Sequence, residues 1–108
     1  MVEQAAVLID TAVTERGVVV SVAGELDVAT APMLDAALVE AVRHHDAAVI
    51  IDLAATTFVD SAAVSILIKV WKGLRVDERA LVLVAPNPKV RAVLEVLGID
   101  QLVPIEPA

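Results

Sequence analysis

The sequence predicts an α/β fold: a mixed sheet with an opening antiparallel hairpin and parallel crossovers, in the order β-β-α-β-α-β-α-β. Three observations predict it. Strand-length aliphatic runs recur at Val18–Ala23, Ala47–Leu53 and Leu81–Val84. Between the later runs lie segments with apolar residues at helical spacing, and helices between buried strands imply parallel crossovers. The stretch Val7–Thr14 is joined to Val18–Ala23 instead by Glu15-Arg16-Gly17, a hairpin turn in which Gly supplies the awkward backbone angle. A chain of 108 residues is read as a single domain spanning 1–108.

The elements follow in order. Val7–Thr14 alternates weakly and pairs with the Val-rich run Val18–Ala23. Glu25-Leu26-Asp27 leads into the first helix, with Thr30 as its expected N-cap and Pro32 in its first turn, where a missing N–H costs nothing. Leu34, Ala37, Leu38, Ala41 and Val42 share one face, away from Asp35, Glu40 and Arg43. His44 and His45 close this helix at the end of the macrodipole that tolerates positive charge. Ala47–Leu53, β-branched and almost continuous, reads as a strand buried on both faces. Asp60 starts a second helix running to about Leu74, with Ser65, Lys69 and Lys72 marking its polar side. Leu81–Val84 is another buried strand. Pro86-Asn87-Pro88 caps a third helix that turns Val90, Val93, Leu94 and Leu97 inward and stops at Gly98. Leu102–Ile105 is the expected last strand.

Composition narrows the function classes. The hydrophobic share is 58%, yet the longest apolar stretches fall well short of the roughly 20 residues a spanning helix needs. No membrane insertion is expected. Met1-Val2-Glu3-Gln4 shows neither a basic region nor a long apolar run, so no secretion signal is read there. With no Cys there is no disulfide framework and no thiolate metal site, and a cytoplasmic location fits. The net charge of −7 is uneven: residues 1–60 hold ten acidic and two basic side chains, residues 61–108 five and six. An acidic chain with one Trp, one Phe and no Tyr lacks the footprint of a nucleic-acid binder. No enzyme is expected either. Ser61 lacks a Gly-x-Ser-x-Gly elbow, there is no P-loop, and His44 and His45 have no third ligand nearby, so neither metal nor cofactor is expected.

Two stretches carry a resemblance. Gly24-Glu25-Leu26-Asp27, followed by Val28-Ala29-Thr30-Ala31, leaves the second strand, and Thr57-Phe58-Val59-Asp60-Ser61-Ala62-Ala63-Val64 opens the second helix. Together, and at this spacing, they resemble the STAS domain, specifically the bacterial anti-sigma factor antagonists, whose element order matches over essentially the whole chain. The resemblance implies a partner-switching cycle. The antagonist binds an anti-sigma factor that is also a serine kinase and so frees a sigma factor; the kinase phosphorylates and releases the antagonist; a phosphatase resets it. The implied partner-binding residues are Asp27, Thr30, Asp60, Ser61, Ala62, Ala63 and Ser65. A phosphate at the start of the second helix is expected to find free backbone donors there.

The chain departs from the family pattern at the decisive position. The family's acceptor hydroxyl falls on Ala62 and the following Gly on Ala63. Ser61, which matches the residue before the acceptor, is the phosphorylation candidate by proximity alone. Two readings stay open: Ser61 has taken over the role, or the domain is not switched off by its kinase. The second is favoured, because side chains at the first and second helical positions point differently. A STAS adaptor or scaffold subunit, in a stress-signalling assembly or a lipid-transport ABC complex, is the alternative. A second departure is at the end, where the prolines of Pro104-Ile105-Glu106-Pro107 discourage the family's further helix, leaving apolar surface near the third helix exposed or covered by a partner. Trp71 is expected in or beside the core, or as an interface anchor.

Overall fold

Val18, Val20 and Val22 alternate along a strand that is paired on both edges, and the sheet grows outward from it. The computed structural model describes residues 7–107; the Met1–Gln4 segment read for a secretion signal lies outside them. β1 (Val7–Val13) pairs antiparallel with β2 (Val18–Leu26), and β3 (Val49–Val59), β4 (Leu81–Val84) and β5 (Ile105–Glu106) add in parallel, giving the order β1-β2-β3-β4-β5. Between them run α1 (Ala31–His44), α2 (Ser61–Val76) and α3 (Pro88–Val96), with a 3₁₀ turn at Ile99–Gln101. The predicted element order and mixed sheet are those observed.

Strand order fixes where the helices go. Each parallel crossover steps one strand in the same direction, and right-handed crossovers then place every helix on one face. Leu34 and Leu38 of α1, Leu67 and Leu74 of α2, and Val90 and Leu94 of α3 accordingly join Val20, Val22, Ile51, Leu53 and Leu83 in a single core. The expectation that Ala47–Leu53 is buried on both faces therefore needs correction. Ile50 is buried on the helix-free face, flanked in register by Val19 and Val82, but further along that face Asp52 is half-buried and Ala54 exposed. Across this face Arg16 of the hairpin turn meets Glu106 of β5 at 2.6 Å. The hydrogen bond from Arg16 holds the Glu106 carboxyl below the ordinary glutamate range. The pair's modest contribution is thus present above the ordinary Glu value and fades as pH falls through the lowered one.

Several element boundaries differ from expectation, among them β2, which runs on past Ala23 to Leu26. β3 runs six residues beyond Leu53, to Val59, with register irregularities opposite Ser21–Ala23 and Gly24–Glu25. Ala54-Ala55-Thr56-Thr57 carries no apolar alternation, and the buried Thr56 is held by its hydroxyl, which donates to the Val22 carbonyl at 2.8 Å. The last strand is Ile105–Glu106 rather than Leu102–Ile105; the 3₁₀ turn occupies the chain up to Gln101, and Leu102 follows as its cap. Leu97, expected inward, is 39% exposed because α3 ends at Val96, with Leu97 as its C-cap and Gly98 turning the chain away at φ +81. Val96 and Leu102 are exposed beside it, as expected for the surface near the third helix. Trp71 packs beside the core with the Arg75 guanidinium 4.7 Å above its ring.

Backbone contacts explain two residues that set the frame. Gly17 closes the hairpin by exchanging backbone hydrogen bonds with Thr14 at 2.8 and 3.2 Å. It sits so close to the α1–β3 connection that a Cβ there would lie 2.3 Å from the Ala48 carbonyl oxygen. Arg79, after α2, donates to the carbonyls of Val42, His45 and Ala47, capping the end of α1 and pinning the same connection. We expect Arg79→Ala to cost about 1.5–3 kcal/mol, as charged hydrogen bonds to otherwise unpaired carbonyls are lost. Arg79→Lys should recover only part of this, since an ammonium cannot span the fork. Urea unfolding of the three proteins measures it; a loss too small to resolve would show that water replaces the guanidinium.

Candidate functional site

The two motif segments meet at the carboxyl ends of β2 and β3. Leu26 pairs with Val59, and the next residue, Asp60, donates its N–H to the Leu26 carbonyl at 3.2 Å. The β2–α1 loop and the start of α2 are therefore one continuous edge. In open α/β sheets such an edge, lined by helix N-termini, is where ligands and partners are received.

Each segment is fixed by an aspartate. Asp27 Oδ1 accepts from the N–H groups of Ala29 and Thr30 at 2.9 and 3.0 Å, an Asx turn that folds the loop back. Thr30 occupies the N-cap position of α1, as expected, but makes no side-chain cap. Its hydroxyl donates to the Glu25 carbonyl at 2.7 Å and accepts from the Asp27 N–H at 2.9 Å, tying the loop to the strand end. With Ala31 N–H on the Asp27 carbonyl, the donors at the start of α1 are met from Asp27 instead. Asp60, with extended φ −131, is the N-cap of α2, and its Oδ1 accepts from Ala62 and Ala63 at 2.9 and 3.2 Å.

This geometry sorts the seven implied contact residues. Ser61 and Ser65 are exposed, Ala62, Asp27 and Asp60 half-exposed, and the Ser65 hydroxyl donates back to the Ser61 carbonyl at 2.9 Å. Thr30 and Ala63 are buried, so their side chains shape the edge and do not line it. The donors expected to receive a phosphate are corrected too. Ala62 and Ala63 N–H are already taken by Asp60, so a phosphate on Ser61 would meet a carboxylate rather than a free donor pair.

Three apolar side chains that sequence reasoning gave no contact role complete the edge. Val28 in the β2–α1 loop is 76% exposed, Met33 in the first turn of α1 and Phe58 at the end of β3 each 45%. An apolar groove runs from Phe58 and Thr57 to Lys89 and Val93 of α3. The signal was present in sequence: Val28 and Phe58 flank the two capping aspartates outside any apolar periodicity. His44 is the last residue of α1 and His45 its C-cap, at the end of that helix remote from Thr30. Among the described residues, no three His, Cys, Asp or Glu side chains are grouped to hold a metal ion.

A family model described as "Mlab, STAS domain" matches residues 9–104. The chain belongs to the STAS-domain family. Comparison with solved structures agrees. A crystal structure of an anti-sigma factor antagonist from Mycobacterium paratuberculosis is 28% identical, with a TM-score of 0.86, and the match covers 100% of this chain and 92% of that one. An anti-sigma-factor antagonist (STAS) domain protein from Planctomyces limnophilus superimposes with a TM-score of 0.83 at 22% identity, covering 93% and 89%. The Bacillus anti-sigma factor antagonist SpoIIAA, in its unphosphorylated form, does so at 0.77 and 22%, covering 91% and 87%. No curated protein sequence matches. The mixed sheet of this STAS domain is thus the family sheet, and no helix among its described residues is long and apolar enough to cross a membrane.

Proposed function

We propose that this STAS domain is an anti-sigma factor antagonist of the cytoplasm, a binding module without chemistry of its own. It receives an anti-sigma factor of the serine-kinase type on the edge formed by the β2–α1 loop and the start of α2. The observation that carries the reading is the junction itself. The Asp60 N–H bond to Leu26 joins the two motif loops, and Val28, Met33 and Phe58 offer apolar anchors beside two carboxylates held in fixed turns. Anchors of this kind, rimmed by oriented charge, suit protein recognition.

Control by the kinase is absent in this proposal. Ala62 has no hydroxyl, and Ser61 sits beside a carboxylate that has taken the helix donors. A phosphatase then has no substrate here. The experiment is incubation with the anti-sigma kinases of the same cell and ATP, read by native and peptide mass spectrometry. A complex carrying no phosphate is expected. Phosphate on Ser61 that is lost in Ser61→Ala would replace constitutive binding with a switch displaced by one residue. No complex with any such kinase would overturn the antagonist reading.

The missing hydroxyl at position 62 also favours a second reading, that of a STAS adaptor or scaffold subunit in a stress-signalling assembly or a lipid-transport ABC complex. Co-purification with a transporter ATPase or a large homo-assembly, rather than with a kinase, would select it.

A further inference from the structure

α2 carries a glycine that its own fold does not require. Gly73 lies inside the helix, where Gly is a poor helix former, and nothing lies within 4 Å of the place its Cβ would occupy. Ala would fit and would favour the helix. A glycine kept open to solvent leaves room for something to come closer to the backbone than a side chain permits.

What lies beside Gly73 indicates the visitor. α1 and α2 run side by side, and between their second halves is an apolar groove of about 180 Å³. Val39 and Val42 form one wall, Val70 and Gly73 the other, with Arg43 and Lys69 at the rim. Val39 is 40% exposed. The groove is open-sided and smaller than the roughly 300 Å³ at which small-molecule pockets begin, so it suits a ridge of side chains rather than an enclosed ligand. Its charge runs against that of the chain. Arg43 is one of only two cations in the acidic half of the sequence. Lys69 already holds one carboxylate there, that of Asp35 at 2.5 Å. Lys72 is exposed next to Gly73, and among the described residues neither it nor Arg43 makes an ion pair.

We propose that the α1–α2 groove centred on Gly73 is a second docking surface, for an acidic amphipathic helix presented by a partner protein. The apolar stripe of that helix lies between Val39 and Val70, its backbone crosses at Gly73, and its carboxylates face Arg43, Lys69 and Lys72. Gly73 is twelve residues from Ser61 along α2, about 18 Å, so this surface and the Asp27–Asp60 edge can be occupied together. The inference does not rest on the antagonist reading.

The test titrates the ¹⁵N-labelled full chain with an amphipathic peptide of about 18 residues, Leu at i, i+3, i+4 and i+7 and Glu on both flanks, and with its Lys-flanked counterpart. Saturable shifts at Val39, Val42, Val70 and Gly73 are expected, with the Glu peptide binding at least about tenfold more tightly than the Lys peptide. Gly73→Leu should weaken binding by about tenfold or more while its melting temperature equals or exceeds that of the parent, showing that the fold is intact. Gly73→Ala should raise the melting temperature and weaken binding less. No saturable shift up to about 1 mM peptide, equal binding of the two peptides, shifts confined to the Asp27–Asp60 edge, or indifference to Gly73→Leu would each overturn the proposal.

Discussion

Gly17→Ala should destabilise the domain by about 3 kcal/mol, the upper range of overpacking, lowering the melting temperature by roughly 15 °C. The cause is close approach. Val18 N–H donates to the Ala48 carbonyl at 2.9 Å, which draws that carbonyl against the hairpin, and a methyl on Gly17 would stand 2.3 Å from its oxygen. The φ of +153 adds strain for any L side chain. The obstacle is main chain, so it cannot turn aside as a side chain would. The double variant Gly17→Ala with Ala48→Gly separates the causes, because it removes the Ala48 Cβ, 3.3 Å away, and leaves the oxygen. It should melt almost as low as the single variant. Recovery of most of the loss would place the clash in the side chain and overturn the account.

Ala62→Ser should convert a constitutive binder into a switched one. The substitution leaves Asp60 capping the helix through the same two backbone bonds, so the fold should be unaffected. Incubated with the cognate kinase and ATP, the variant should gain phosphate at position 62 and the parent none. The phosphorylated variant should bind the anti-sigma factor roughly a hundredfold more weakly, about 3 kcal/mol, as a dianion is forced into an interface beside Val28 and Phe58. Ala62→Glu should weaken binding in the same direction without kinase, while an acidic residue in the first turn supports the helix. Calorimetric titration of the four proteins reads all of this. If the phosphorylated variant binds as tightly as the parent, the start of α2 is not the docking edge.

How much of this was legible in the sequence depends on whether the stabilising contact is local. Leu81–Val84 was readable because four consecutive large aliphatic side chains stand between Arg79-Ala80 and Ala85-Pro86. Asp60 as an N-cap and Gly98 as a helix stop were readable for the same reason: the side chain or backbone angle acts within three residues. Thr30 shows the limit. Residue type and place marked a cap, but a neighbouring aspartate offered a better acceptor and the threonine turned to the strand end. The extension of β3 was hidden because it rests on pairing with β2 and on Asn87, whose amide donates to the Thr56 carbonyl from 31 residues away. The grip of Arg79 on the α1–β3 connection joins residues more than thirty apart and has no local signature. At the site, the capping aspartates were legible, but which residues face outward was not, since Thr30 and Ala63 look like surface residues until the layers are assembled.

The strand order has a bearing on how the chain reaches this state. Each strand lies beside its predecessor in sequence, so every new pairing is made to an edge that earlier residues have already presented. No strand must be inserted between two that are already paired. Contacts of modest sequence separation favour rapid folding, and synthesis from the N-terminus delivers the pieces in the order the sheet uses them. β1 and β2 can close as a hairpin on the ribosome, and each following helix–strand unit can dock as it emerges.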